Sequence, residues 1–459
     1  MGIWGVSTKR HWPAVTVVGA GLAVAASTLA GCSSSGSSGS SQTIQYEGFN
    51  SAPNYNTWLR GQMAIFEKSH HGVKFTVQYT TPTYIVQKIK TAVAAGAAPD
   101  IAQMLPGAAQ QQLFAAKRIL NLTPYINGDA QWKSWITSWN KVPNSQYRAG
   151  SQIFATNVSM GPMLVWYWKS SLAQVGWKTF PTTIQGPQGL LALSKALKNA
   201  GLPAMANGLD SQALFNYDYT FYTLEANFDP GGVKASAAIN GAYPWASPVF
   251  TQAVNLFKSL YDSNVFYPQA LQRNYDPDSK TDFGNLKATS AWPFGPWMDG
   301  YYPAKDASKI GVARFPVLTA SSPQTLTASN DLEFILPTVT SNQQTTAHKK
   351  LLIAFLKQLN SPESQKSLWS NGIMPVMASA ASGPVANATY SGWASLMKQQ
   401  IALTSTKYAV DENTYGPATA SALDNGLEEV LSGKLSTSAL LQQVQAANKQ
   451  DHSCAPNCK

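Results

Sequence analysis

The chain runs to 459 residues, more than one compact core usually serves. Hydrophobic residues supply 44%, enough for a globular fold, while charged residues supply only 12%, so Ser, Thr, Asn, Gln and Tyr must solvate much of the surface. The net charge of +10 is scattered in Lys/Arg runs of at most two, which argues against a nucleic-acid interface built on a basic patch.

The first element in chain order is a leader. Lys9 and Arg10 precede an apolar stretch, Pro13 to Leu29, in the order of a secretory signal. At its end, Leu29-Ala30-Gly31-Cys32 resembles the lipobox of bacterial lipoproteins, which implies lipidation of Cys32 and a mature chain beginning there. The Ser/Gly tract Ser33 to Ser41 fits a flexible tether. Cys454 and Cys458 remain at the far C-terminus, where an oxidising compartment permits a small disulfide. No other His, Cys and carboxylate cluster has metal spacing, so neither metal nor cofactor is expected.

Beyond the tether, Thr43 to Glu47 alternates like a strand. Trp58 to Lys68 predicts a helix, with Leu59, Met63 and Phe66 on one face. Val73 to Tyr79 is a second strand, and Tyr84 to Ala95 a helix carrying Ile85, Ile89 and Val93 before a capping Gly96. Pro99-Asp100 leads a third strand, Ile101 to Leu105. This alternation predicts a mainly parallel sheet covered by helices, with ligands beyond the carboxyl ends of its strands. Strands are also expected at 163–168, 288–292, 310–315 and 332–336, and helices at 189–200, from Ser247-Pro248, at 345–359 and from Ser361-Pro362-Glu363. The last hundred residues read as largely helical, with Gly433 as a break between two segments. Residues 264–286 show weak periodicity and receive no assignment.

Six short runs, in order along nearly the whole mature chain, are similar to the family 1 extracellular solute-binding proteins, which include the maltodextrin-binding proteins. They are Phe66 to Val77, Lys88 to Met104 with its helix–Gly–Pro-Asp–strand pattern, Tyr167 to Leu172, Lys287 to Trp297, Ala354 to Gln365, and Leu427 to Leu441. Trp168 and Ser170 depart from the family's usual pattern. The resemblance implies an α/β, periplasmic-binding-protein-like fold: two α/β lobes joined by crossing hinge segments, with the ligand cleft between them. Carried over, residues 1–31 are the lipoprotein signal peptide, 32–41 the tether, 42–155 plus 330–373 lobe I, 156–329 plus 374–450 lobe II, and 451–459 a tail.

A sugar presents hydroxyl edges and apolar ring faces, so its site needs aromatic platforms and a few polar side chains. Trp297, after Gly295-Pro296 at the end of a strand, matches a motif the family places at the cleft. Tyr217 and Tyr219 fall where the family places a cleft-facing pair. Glu47, Phe49 and Asn50 end the first strand, and Met104 ends the third, where relatives often carry an aromatic ring. Asn330 and Asp331 precede a returning strand, and Tyr415 lies close to where the family offers a stacking ring. Gly161 stands where the family's crossing strand is acidic, a departure from the pattern.

No G-x-S-x-G elbow, P-loop or HExxH sequence is present, so no enzyme is expected. The implied function is a lipid-anchored extracellular protein, expected as a monomer. It captures a sugar or oligosaccharide and delivers it to the permease subunits of an ABC importer. The alternatives are a secreted lipoprotein enzyme acting on carbohydrate, or a different solute, such as a glycerol phosphate ester or a polyamine.

Overall fold

The computed structural model describes residues 42–49, 52–104, 108–137, 148–149, 151–202, 205–210, 214–267, 269–285, 287–301, 304–330, 333–337, 345–386, 394–399, 402, 406–409 and 416–454. Among these, no helix is long and apolar enough to cross a membrane.

β1 (Gln42–Phe49) alternates buried Ile44 and Tyr46 with exposed Thr43 and Gln45. α1 (Pro53–Ser69) starts earlier than the expected Trp58, because Pro53 sits in the first turn, where its missing N–H costs nothing. It buries Tyr55, Trp58, Leu59, Met63 and Phe66 in one helical stripe. β2 (Val73–Thr80) turns Val73, Phe75, Val77 and Tyr79 toward the same core. α2 (Pro82–Ala94) buries Ile85, Ile89 and Val93, and Gly96 follows it at φ 68°, a left-handed value that glycine adopts without strain. β3 (Ile101–Met104) is buried throughout. At its entry, the Asp100 carboxylate accepts from the Gln45 N–H at 2.7 Å and lies 2.9 Å from His348 Nε2.

α3 (Ala108–Ala115), α4 (Thr123–Asn127) and α5 (Ala130–Thr137) follow, then the short hairpin β4 (Arg148–Ala149) and β5 (Gln152–Ile153). β6 (Ala155–Asn157), β7 (Met160–Pro162) and β8 (Leu164–Trp168) come in close succession. After α6 (Lys169–Gln174) and α7 (Leu190–Asn199) come β9 (Met205–Ala206), α8 (Leu214–Glu225) and α9 (Val233–Ile239). α10 (Pro248–Asp262) opens at Ser247-Pro248 as expected, and buries Ala253, Phe257 and Leu260. The Ser247 hydroxyl makes no capping bond; its carbonyl instead accepts from the Thr251 N–H and hydroxyl.

The unassigned stretch holds a 3-10 turn at Ala270–Gln272, a π turn at Tyr275–Ser279 and α11 (Lys280–Gly284). Each is too short to leave a repeat in the sequence. Tyr275 holds the π turn in place, stacking on Phe294 at 4.7 Å and donating its hydroxyl to the Pro293 carbonyl at 2.8 Å. β10 (Ser290–Phe294), β11 (Ile310–Ala313), β12 (Thr325–Asn330) and β13 (Glu333–Ile335) precede α12 (Thr346–Leu359) and α13 (Pro362–Ser370). Thr345 and Ser361 cap these two helices through their hydroxyls, at 3.1 and 3.2 Å. β14 (Thr406–Ala409), α14 (Pro417–Leu431) and α15 (Thr437–Cys454) follow, with Gly433 at φ 78° between the last two.

The first sheet has the order β2-β1-β3-β13-β6, parallel across β2, β1 and β3, with β13 antiparallel to both β3 and β6. The second has the order β11-β8-β10-β9; β8 runs antiparallel to both neighbours, and β10 runs parallel to β9. A third sheet, β14-β12-β7, joins segments that run between the other two. One apolar core draws on residues between 44 and 158 and between 334 and 376, and a second on 165–315 and 423–444. A third packs Met160, Met298, Met374 and Met397 among Trp166, Trp168 and Trp369.

Candidate functional site

Register shows where the two larger sheets open. In the first, the carboxyl ends of β1, β2 and β3 lie at one edge; Glu333, which begins β13, stands opposite Met104, and Asn157, which ends β6, stands opposite Glu333. From that edge the chain leaves through β7, and it returns there through β12. In the second sheet, Leu164 at the start of β8 faces Phe294 at the end of β10, while β9 and β11 end at the same edge. Both carboxyl edges therefore open toward β7 and β12, which pair through Met160 with Asn330, Gly161 with Ser329 and Pro162 with Ala328. Ligands of open α/β sheets bind beyond this kind of edge.

On the first edge, Met104, Glu333 and Asn157 are direct cross-strand partners, so their side chains form one row on one face, each at most 1% exposed. Glu47 shares that face through its pairing with Ala102. The Glu47 carboxylate is largely buried and ion-paired to Lys88 of α2. Asn157 accepts from the Ser159 N–H at 3.2 Å, while its Nδ2 is buried without an acceptor among the described residues. Phe49 and Met104 lie in the first core. Tyr46, on the opposite face, donates its hydroxyl to Gln103 Oε1 at 2.5 Å, and burial pushes that phenol well above its usual pKa. Any Cβ on Gly48 would run into this pair, so the strand needs glycine there.

On the second edge, Trp297 lies in a 3-10 turn after β10, half-buried against the third core. Its ring lies over Gly295 so closely that a Cβ there would strike it, which is the physical reason for Gly295. Tyr267 borders the same core, and the Arg273 guanidinium sits 5.3 Å from that ring's centroid while pairing with Asp282. Arg314, just past β11, has its pKa lowered by burial and donates to Gln324.

The structure separates the two tyrosines of α8. Tyr217 is fully buried in the second core, donates its hydroxyl to the Leu209 carbonyl, and is pushed far up in pKa by burial. Tyr219 is 6% exposed and lies one turn before Thr223, whose hydroxyl meets Thr327 of β12 at 2.6 Å. Two helical residues apart is about 200° of rotation, so the rings take different surroundings. Asn330 ends β12 opposite Met160. Asn50, Asp331, Tyr415, Cys32, Cys458 and the side chain of Cys454 lie outside the described residues.

Sequence reasoning passed over Lys88, Asn157, Tyr267 and Arg273. Lys88 lies inside a run matched to the family, where no local signal separates it from its neighbours. Tyr267 and Arg273 lay in the stretch without periodicity. The Met104–Glu333–Asn157 row exists only through pairing register, which no local pattern prints.

The chain resembles known structures over nearly its whole length. It shares 17% identity with a chitin oligosaccharide binding protein, covering 90% of this chain and 99% of that one at a TM-score of 0.74. With the maltose/maltodextrin-binding domain MalE of Bdellovibrio bacteriovorus, bound to maltotriose, it shares 16% identity over 90% and 100% of the two chains, at 0.67. With the GacH receptor of Streptomyces glaucescens it shares 16% identity over 89% and 97%, at 0.66. These likenesses give the fold: a periplasmic-binding-protein-like α/β architecture. No curated protein sequence matches. The profile of the family described as bacterial extracellular solute-binding protein matches residues 62–392, most of the chain. The chain belongs to the bacterial extracellular solute-binding proteins.

Proposed function

We propose that this chain captures a neutral sugar or oligosaccharide outside the cell and delivers it to the permease subunits of an ABC importer. The observation that carries this is Trp297, a half-buried ring laid over Gly295 where the carboxyl edge of the second sheet opens toward the crossing strands. An apolar ring face beside that edge suits the apolar face of a pyranose. The row of Glu333 and Asn157, with Glu47 on the same face, supplies polar partners for hydroxyls on the other edge. In this proposal the lobes are 42–155 plus 330–373 and 156–329 plus 374–450. The ligand is held between them with Glu47, Phe49, Asn50, Met104, Tyr217, Tyr219, Gly295, Trp297, Asn330, Asp331 and Tyr415 at or behind the walls. Cys32 anchors the monomer by a lipid to the outer face of the cytoplasmic membrane.

Members of the family bind solutes, and the proposed chain binds without converting. Isothermal titration against chito-, malto- and xylo-oligosaccharides, with product analysis of each mixture, tests this. Binding of one series with the sugar recovered intact is the expected result. Cleavage of the sugar would make the chain an enzyme. Binding of spermidine or a glycerol phosphate ester alone would replace the sugar.

A further inference from the structure

Outside the cleft, one face of α2 stands apart. Tyr84, Gln87, Lys88, Thr91, Ala92 and Ala95 recur at three- and four-residue steps and line a shallow depression of about 430 Å³. The helix already buries its other stripe, Ile85, Ile89 and Val93, against the sheet. We infer that this face is a second carbohydrate subsite, which takes those units of a neutral oligosaccharide that extend past the cleft; it rests on the sugar reading of the cleft.

Five features support it. α2 begins at Pro82, just past the carboxyl end of β2 at Thr80, so Tyr84 in its first turn stands at the rim of the first sheet's open edge. Tyr84 is 68% exposed, one of three large apolar side chains left so among the described residues. An aromatic ring held open beside a sugar site is a ready stacking platform. Next along the stripe, Gln87 Nε2 donates to Thr91 Oγ1 at 3.3 Å, which sets two polar groups side by side for ring hydroxyls. Lys88 reaches from the stripe to the Glu47 carboxylate, so depression and cleft edge share one ion pair. The pair carries no net charge, so this face offers no unbalanced cation to an acidic glycan. The small Ala92 and Ala95 leave the far end of the stripe shallow enough for a ring to lie flat.

The test titrates the full chain and its Tyr84→Ala and Tyr84→Phe variants with chito-, malto- and xylo-oligosaccharides of increasing length from the disaccharide. Tyr84 is exposed, so its replacement does not threaten folding. In the series that binds, affinity should rise with length beyond the cleft. Tyr84→Ala should weaken the longest oligomer about threefold to tenfold and leave the disaccharide unchanged. Tyr84→Phe should keep the gain, because the ring does the stacking. Equal affinity of Tyr84→Ala for every length overturns the subsite and leaves the cleft reading intact. The same holds if the variant binds normally but slows uptake, which would make this face a protein contact. Disaccharide binding with no gain from length also removes the subsite alone, whereas failure of every oligosaccharide to bind removes both.

Discussion

Replacing Trp297 by alanine separates a cleft ring from a core ring. Stacking a pyranose on an indole face contributes about 1.4–2.8 kcal/mol, from aromatic-pair energies and the apolar area covered, so Trp297→Ala should weaken sugar binding about tenfold to a hundredfold. The stability cost should be small by comparison. The ring is half-buried and leans on Gly295 and the edge of the third core, so its removal should cost about 1–2 kcal/mol, against about 3–5 for a fully enclosed tryptophan. In a chain of 459 residues each kcal/mol moves the melting temperature by about 1 °C. Trp292 is the internal control, since it is fully buried and packs on Phe315 at 4.0 Å. Trp292→Ala should lose the larger amount of stability and keep its affinity for whatever remains folded. Calorimetric titration and thermal melts on both full-chain variants give the two numbers. If Trp297→Ala melts like Trp292→Ala with unchanged affinity, the ring belongs to the core and the cleft loses its platform.

Other perturbations test other parts. Burial, reinforced by the neighbouring Asp229 carboxylate, raises the Glu225 carboxyl well above its ordinary value. The folded state therefore holds this proton more tightly than the unfolded chain, so the contribution of Glu225 to stability is greatest below the ordinary carboxylate value, about 4.3, and is lost as pH rises through the folded value. Glu225→Gln should flatten that decline in denaturant titrations run across pH; an unchanged slope would remove Glu225 as its source. Asp100→Ala should cost about 3 kcal/mol, because it strips a buried carboxylate from the Gln45 N–H and His348, and urea unfolding measures the loss. Cys32→Ala should release the chain from the membrane, and intact mass of membrane-extracted wild type should show acyl addition at Cys32; unmodified Cys32 would exclude the anchor.

Much of the fold was legible because its elements are locally consistent. The stripe Ile85, Ile89, Val93 with Gly96 behind it, and the alternation through Ile44 and Tyr46, each carry their period within a few residues. Caps at Ser361 and Thr345 are equally local. Ser247 shows the limit: the sequence placed the helix start correctly, while its hydroxyl makes no capping bond. The candidate site was legible only in part. Gly295 and Trp297 are neighbours in sequence, so their contact could be read from it. The alignment of Met104, Glu333 and Asn157 depends on three strands drawn from distant parts of the chain. Tyr217 and Tyr219 read as a pair, but helical geometry gives one to the core and the other to the β12 side.

The central claim is that a sugar lies between the two carboxyl edges. A crystal structure of the full chain with its tightest-binding oligosaccharide tests it most directly. It should show a pyranose against the Trp297 ring, with hydroxyls within hydrogen-bond distance of the Glu47, Asn157 and Glu333 row or of residues at β7 and β12. A sugar bound elsewhere on the molecule, with Trp297 and that row untouched, would contradict it.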